Sequence, residues 1–190
     1  MARSRSSFGS APSGPSIWLW LGIAAVVVLL DQASKQLIIN DFRLGESRTV
    51  TSFFNLVYWH NPGAAFSFLA GAAGWQRWFF IALALIVSVV LMIWMRRIRT
   101  PEQTMLAIGL SLVLGGALGN VIDRVWHGYV VDFIYFHWEM FNVPAFSDFP
   151  AFNIADTAIT LGAFCLLIDA FRESGRDTRK DVAAASAEKK

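Results

Sequence analysis

Charge is scarce in this chain. Only 16% of its 190 residues are charged while 55% are hydrophobic, and the mean hydropathy of +0.48 is too high for an ordinary soluble domain of this length. The net charge of +2 gives no case for nucleic acid as a partner. Cysteine occurs once, at Cys165 within an apolar run, so no internal disulfide forms and the thiol is expected to pack as a small hydrophobe. The three histidines, His60, His127 and His137, fall in no HExxH or other metal-ligand spacing, which argues against zinc, and no cofactor is expected. There is no GxSxG elbow either, and with Cys165 deep in a span an acyl-enzyme mechanism lacks its nucleophile.

Long apolar runs are what the chain does have. Four of them, about 17–39, 78–95, 105–122 and 151–171, approach the roughly 20 residues that a bilayer core requires. A basic tail before the first run also describes a secretory signal peptide, but no small-residue cleavage site precedes Asp31 and further spans follow. Residues 1–16, rich in Ser, Gly and Pro, are expected to form a disordered tail, and the Ala-rich, charged residues of the 172–190 tail are expected to fray. Eight Trp and sixteen Phe suit interfacial anchoring and bulky packing. With four spans, Arg3, Arg5, Arg96, Arg97, Arg99, Arg172, Arg176, Arg179, Lys180, Lys189 and Lys190 share one side, against Lys35, Arg43, Arg48, Arg77 and Arg124 on the other. The positive-inside rule therefore predicts cytoplasmic termini and an extracytoplasmic location for 41–74 and 123–150.

Between the spans, Thr49 to His60 is dense in Val, Thr, Phe and Tyr and reads as extended structure. The segment NPGAAFSF, Asn61 to Phe68, combines a Pro-Gly turn signal at Gly63 with small residues, fitting either a close backbone approach or a plain loop. Gly115 and Gly119 in the third span have the spacing that lets two helices approach closely, a weak signal alone.

Polar residues inside such a chain stand out because each carries a desolvation cost. Asp31 and Lys35, four apart in the first span, permit an ion pair on that helix's surface. Asn120, Asp123 and Arg124 share a face at the outer end of the third span, and Asp123, with Arg124 next to it, reads as a structural carboxylate. In a helical fourth span Asn153, Asp156, Thr157 and Thr160 draw a second polar stripe. Asp132, in YVVDFIYF, has no charged neighbour and lies among bulky apolar residues that should raise its pKa. Asp156 sits near a helix N-terminus, where the dipole favours negative charge. If the fold brings Asp132 and Asp156 together, they share one proton and titrate as a unit, as an aspartic-type hydrolase requires, with Asp156 the initial base. Glu139 and Asp148 fall in the outer loop, Asp148 close enough in sequence to be a rival acid.

These pieces, DQASK (Asp31 to Lys35), NPGAAFSF, GGALGNVIDR (Gly115 to Arg124), GYVVDF (Gly128 to Phe133) and FNIADTAI (Phe152 to Ile159), resemble, in order and in hydropathy, the bacterial lipoprotein signal peptidases, signal peptidase II. The resemblance implies an aspartyl endopeptidase of the bacterial inner membrane that removes signal peptides from diacylglyceryl-modified prolipoproteins just before the lipidated cysteine. It implies an all-α membrane protein of four helices with a small extracytoplasmic β-cradle and a short amphipathic helix. Asp132 and Asp156 would be the catalytic acids. Asn61, Asn120, Asp123, Arg124 and Asn153 would line the site, and Asp31, Lys35 and Gly63 would support it. Its partners would be lipid-modified prolipoproteins and membrane lipid, with a monomer as the expected state. The stretch 137–149 between the two acid motifs is longer than the family pattern.

Two other classes compete. A small transporter or channel subunit using paired carboxylates would place its acids near midspan and show inverted repeats, and neither is visible. In a non-catalytic membrane adaptor the polar stripes would only hold the helices together.

Overall fold

The computed structural model describes residues 16–63, 74–98, 101–138 and 149–187, with side chains as far as Arg176. Helix α1 covers Ile17–Asp41, and Ser16 begins it by accepting a hydrogen bond from the Trp18 amide. Strands β1 (Ser47–Thr51) and β2 (Phe54–Asn61) form a hairpin ahead of α2 (Trp75–Met95). A single 3-10 turn, Pro101–Gln103, leads into α3 (Thr104–Trp126), which is followed by β3 (Val130–Phe136) and α4 (Ile154–Ala187). Among the described residues, four helices are long and apolar enough to cross a membrane. The short amphipathic helix of the resemblance is not among the described residues, nor are Glu139, Asp148, most of the 137–149 stretch, and Ala64 to Phe68.

Several observed limits differ from the sequence reading. Helix α4 runs through the expected fraying tail as far as Ala187, where the sequence is rich in the good helix formers Ala, Arg and Lys. Helix α3 extends to Trp126, past the expected end of the span at 122, and carries Asp123 and Arg124 in its last turns as their shared face with Asn120 suggested. The helix closes when the His127 and Gly128 amides donate to the Asp123 and Arg124 carbonyls, and Gly128 takes the left-handed conformation (φ 88°) that favours glycine at this position.

Helix α3 is the centre of the bundle. It is 67% buried over its apolar window, against 22%, 22% and 17% for α1, α2 and α4, whose outward faces (Leu29, Ile86, Val90, Phe164) are apolar and fit lipid. Small residues bring its neighbours in. A Cβ built on Gly115 would lie 2.7 Å from both the Ala24 carbonyl oxygen and Val27 of α1, and one on Gly119 would lie 2.6 Å from Asp31 Oδ2. Gly116 faces α4 instead, where a Cβ would collide with the Ala155 carbonyl and approach Ile159 to 2.8 Å. Gly116→Ala is therefore expected to lower stability by about 1–3 kcal/mol through overpacking. Thermal unfolding in micelles checks this, and a variant as stable as the parent would show that α3 and α4 separate freely.

The three strands form one antiparallel sheet in the order β1-β2-β3. Trp59 faces Asp132 and Asn61 faces Val130 across the β2–β3 pair, after a register shift between Leu56 and Trp59. Val131 and Phe133 of β3 and Tyr58 of β2 pack with Ile38 of α1, which fixes the sheet on the bundle. Phe152, just ahead of α4, exchanges backbone hydrogen bonds with Ile134. Asp132 and the start of α4 are thereby held side by side.

Candidate active site

Asn153 is the residue that joins the two acids. It precedes α4, and its Oδ1 accepts from the Asp156 amide at 2.9 Å, capping the helix. Its Nδ2 donates to Asp132 Oδ1 at 2.8 Å and to the Val131 carbonyl at 3.2 Å. One fully buried amide thus fixes the backbone of Asp156 relative to the carboxyl of Asp132. The other Asp132 oxygen accepts from Asn61 Nδ2 at 3.0 Å, a diagonal contact between β2 and β3. Asp156 Oδ1 accepts from Asn120 Nδ2 at 2.8 Å.

The two acids differ in surroundings. Asp132 is buried and Asp156 is partly open. Burial pushes the Asp132 carboxyl up to about 7, helped by the nearby charge of Asp156 and opposed by the Asn61 and Asn153 amides and by Lys35. Desolvation outweighs two hydrogen bonds here, as the apolar neighbours of Asp132 in sequence suggested. Asp156 stands in the first turn of α4, at the positive end of the helix dipole.

Behind this pair lies a second acidic cluster, and here the sequence reading needs correction. Asp31 and Lys35 form the ion pair that their spacing permits, but the pair is buried against α3 and shared with a further acid. Lys35 Nζ is 2.8 Å from Asp31 Oδ2 and 2.8 Å from Asp123 Oδ2, and it donates to Asn120 Oδ1 at 3.0 Å. Asp123 takes neither Arg124, which as the next residue points to another side of the helix, nor Asn120, whose amide is engaged with Asp156 and Lys35, as its hydrogen-bond partner. It accepts instead from Gln32 Nε2 at 2.9 Å and from the Val131 amide at 3.1 Å, which ties α3 to β3. Asp31 Oδ1 accepts from the Ala155 amide at 2.9 Å and so satisfies a free donor in the first turn of α4.

Arg124 serves the loop after β2. Its guanidinium donates to the Gly63 carbonyl at 2.7 Å and to the Asn120 carbonyl at 3.2 Å. Gly63 in turn donates its amide to Asn61 Oδ1 at 3.0 Å, closing an Asx-type turn across Pro62. Of the fourth-span stripe, only Asn153 and Asp156 join the site, for Thr157 and Thr160 return their hydroxyls to carbonyls of their own helix. The histidines are used elsewhere: His60 bonds the Tyr58 hydroxyl and stacks on Tyr129, and His137 bonds Asn55.

Gln32 is the residue the sequence reading passed over. Its Nε2 reaches Asp31, Asp123 and the Gly119 carbonyl. The signal was available in DQASK, as a third polar side chain beside Asp31 in an apolar helix.

Comparison with known proteins agrees with this architecture. Residues 23–172 match the model of the family described as signal peptidase (SPase) II. The chain is 44% identical over 174 residues to a lipoprotein signal peptidase of Ralstonia nicotianae, covering 92% of this chain and 96% of that one. It is 46% identical over 170 residues to a lipoprotein signal peptidase of Alteromonas mediterranea, covering 90% and 88%. A solved bacterial membrane enzyme, 31% identical, superposes with a TM-score of 0.75 over 88% of this chain and 96% of its own. With a family match over most of its length and such relatives, the chain belongs to the signal peptidase II family of aspartic peptidases.

Proposed function

We propose that this protein is an intramembrane endopeptidase that removes the signal peptide from diacylglyceryl-modified prolipoproteins, cutting just before the lipidated cysteine, with Asp132 and Asp156 as its catalytic acids. The observation that carries the reading is the Asn153 link, which sets a buried carboxyl able to keep its proton to about pH 7 beside a partly open one at a helix N-terminus. Asp156 removes a proton from water as the water oxygen attacks the scissile carbonyl carbon, and Asp132 gives its proton to the carbonyl oxygen. In the second half the diol returns a proton to Asp132, the C–N bond breaks, and Asp156 passes its proton to the departing amine. The pair ends with the one proton it began with.

Asn61, Asn120 and Asn153 hold the carboxyls in place, and Arg124 with Gly63 holds the turn that carries Asn61. Asp132 lies on strand β3 and Asp156 in the first turn of α4, a placement that favours hydrolysis over ion passage through midspan. A diacylglyceryl group would bring the substrate to that depth, since each buried methylene contributes about 0.8 kcal/mol to membrane partition. In this reading both termini are cytoplasmic and the site is extracytoplasmic. The basis is the count of basic residues, eleven on the side of the termini against five on the side of the site.

The test is cleavage of one precursor with and without its diacylglyceryl group in mixed micelles. The modified precursor is expected to be cut and the unmodified one left intact. Equal cleavage of both would remove lipid recognition from the reading.

A further inference from the structure

The side chains of Asn61, Asn120 and Asn153 can each be placed two ways with nearly the same shape, and only one presents its NH2 to a carboxylate. The wrong placement would set a carbonyl oxygen against Asp132 or Asp156. Each of the three is held in the useful placement by a donor on its own oxygen. For Asn61 that donor is the Gly63 amide, and for Asn153 it is the Asp156 amide. For Asn120 it is the Lys35 ammonium, at 3.0 Å, with a longer contact of 3.4 Å from Asn153 Nδ2.

An ammonium has donors only, so it tolerates the Asn120 oxygen and repels its NH2. Lys35 cannot swing away, because Asp31 and Asp123 grip it from two helices at 2.8 Å each. We infer that Lys35 is a positioning residue for hydrolysis, acting through Asn120: it pins the amide so that Nδ2 is always offered to Asp156. This gives the buried Asp31, Lys35 and Asp123 cluster a task beyond holding helices together, and it rests on Asp156 being one of the catalytic acids.

Removing Lys35 alone would leave two buried carboxylates without their cation, so the informative variant is the paired Lys35→Met with Asp123→Asn, which keeps the cluster's formal charge unchanged. Its kcat is expected to fall about 10- to 100-fold, the usual effect of losing a partner that orients a site group, while KM stays unchanged. The same paired change made on an Asn120→Ala background should cost nothing more, since the amide it orients is already gone. A folded pair with wild-type kcat, or a loss that adds fully to that of Asn120→Ala, would overturn the inference. A purely structural role would lower yield and unfolding temperature in both backgrounds alike. Independently of any variant, a neutron structure of the wild-type protein should show the Asn120 amide hydrogens facing Asp156 and its oxygen facing Lys35, and the reversed placement would also overturn it. Asp156→Asn serves as the control: if that variant still cleaves, the assignment of the acids fails, whereas an inactive Asp156→Asn beside a fully active pair defeats the role of Lys35 alone.

Discussion

Asp132→Asn and Asp156→Asn are each expected to lower cleavage of a diacylglyceryl-modified precursor by roughly four orders of magnitude, the scale seen when one member of a catalytic unit is lost, with the protein still inserted in the membrane. The expectation follows from proton bookkeeping. An amide at position 156 cannot accept the proton of the attacking water, and an amide at 132 has hydrogens but none it can transfer to a carbonyl oxygen. Because the two acids act as one unit, the double variant should be little worse than either single one. The comparison must be made on folded protein, and Asp156→Asn suits this well, since an amide there still accepts from Asn120 Nδ2. Substantial cleavage by either variant would remove that residue from the pair and restore the rival acids to consideration.

What could be read from the sequence, and what could not, divides along the range of the forces involved. The four spans were legible because lipid imposes a requirement on each helix separately, and so was the small-residue contact at Gly115 and Gly119, now seen against Ala24, Val27 and Asp31 of α1. The raised pKa of Asp132 was expected from its apolar surroundings in sequence, but Val131 and Phe133 point to the other face of the strand, and the burial comes from the packed fold with Asp156 adding to it. Partners set by packing were not legible. Asp123 lies next to Arg124 in sequence, yet its ion pair is with Lys35, 88 positions away by number, and only the crossing of α1 on α3 decides this. The burial of Asp31 depends on α3 and on the first turn of α4, neither of which is visible from α1.

Strand β3 lies between these cases. YVVDFIYF has the β-branched and aromatic content of a strand, but with apolar residues on both sides of the pleat it lacks the alternation that marks a half-buried one. The structure uses that backbone twice, in pairing with β2 and in the bridge to Phe152. That double pairing is why an acid at position 132 and a helix start at position 154 can be placed to within hydrogen-bond distance of the same asparagine.

The burial that lets Asp132 keep a proton also makes the fold sensitive to pH, and the second large effect is expected there. Below about pH 4 the carboxyl is protonated whether the protein is folded or not, and burial costs nothing extra. Above about 7 it is charged in both states, and the folded one alone bears the desolvation. Stability should therefore fall as pH rises from the ordinary carboxyl value of 3.8 through the folded value of about 7. At about 1.4 kcal/mol per pH unit the swing is roughly 4 kcal/mol at most, less whatever Asp156 takes up as the two titrate together. Asp132→Asn cannot ionise, so its curve should stay flatter over that window. At low pH the variant should be the weaker protein by roughly 1–3 kcal/mol, because its NH2 must face Asn61 Nδ2 or Asn153 Nδ2, and those amides are held by the Gly63 and Asp156 backbones. As pH rises the wild type loses its lead, and by about pH 8 the inactive variant should be at least as stable as the active enzyme. Thermal unfolding of both proteins in micelles from about pH 4 to 8 measures the difference, in which the other carboxyls largely cancel. Parallel curves would mean that Asp132 is charged in the folded protein at ordinary pH, so that it cannot be the acid that gives the scissile carbonyl its proton.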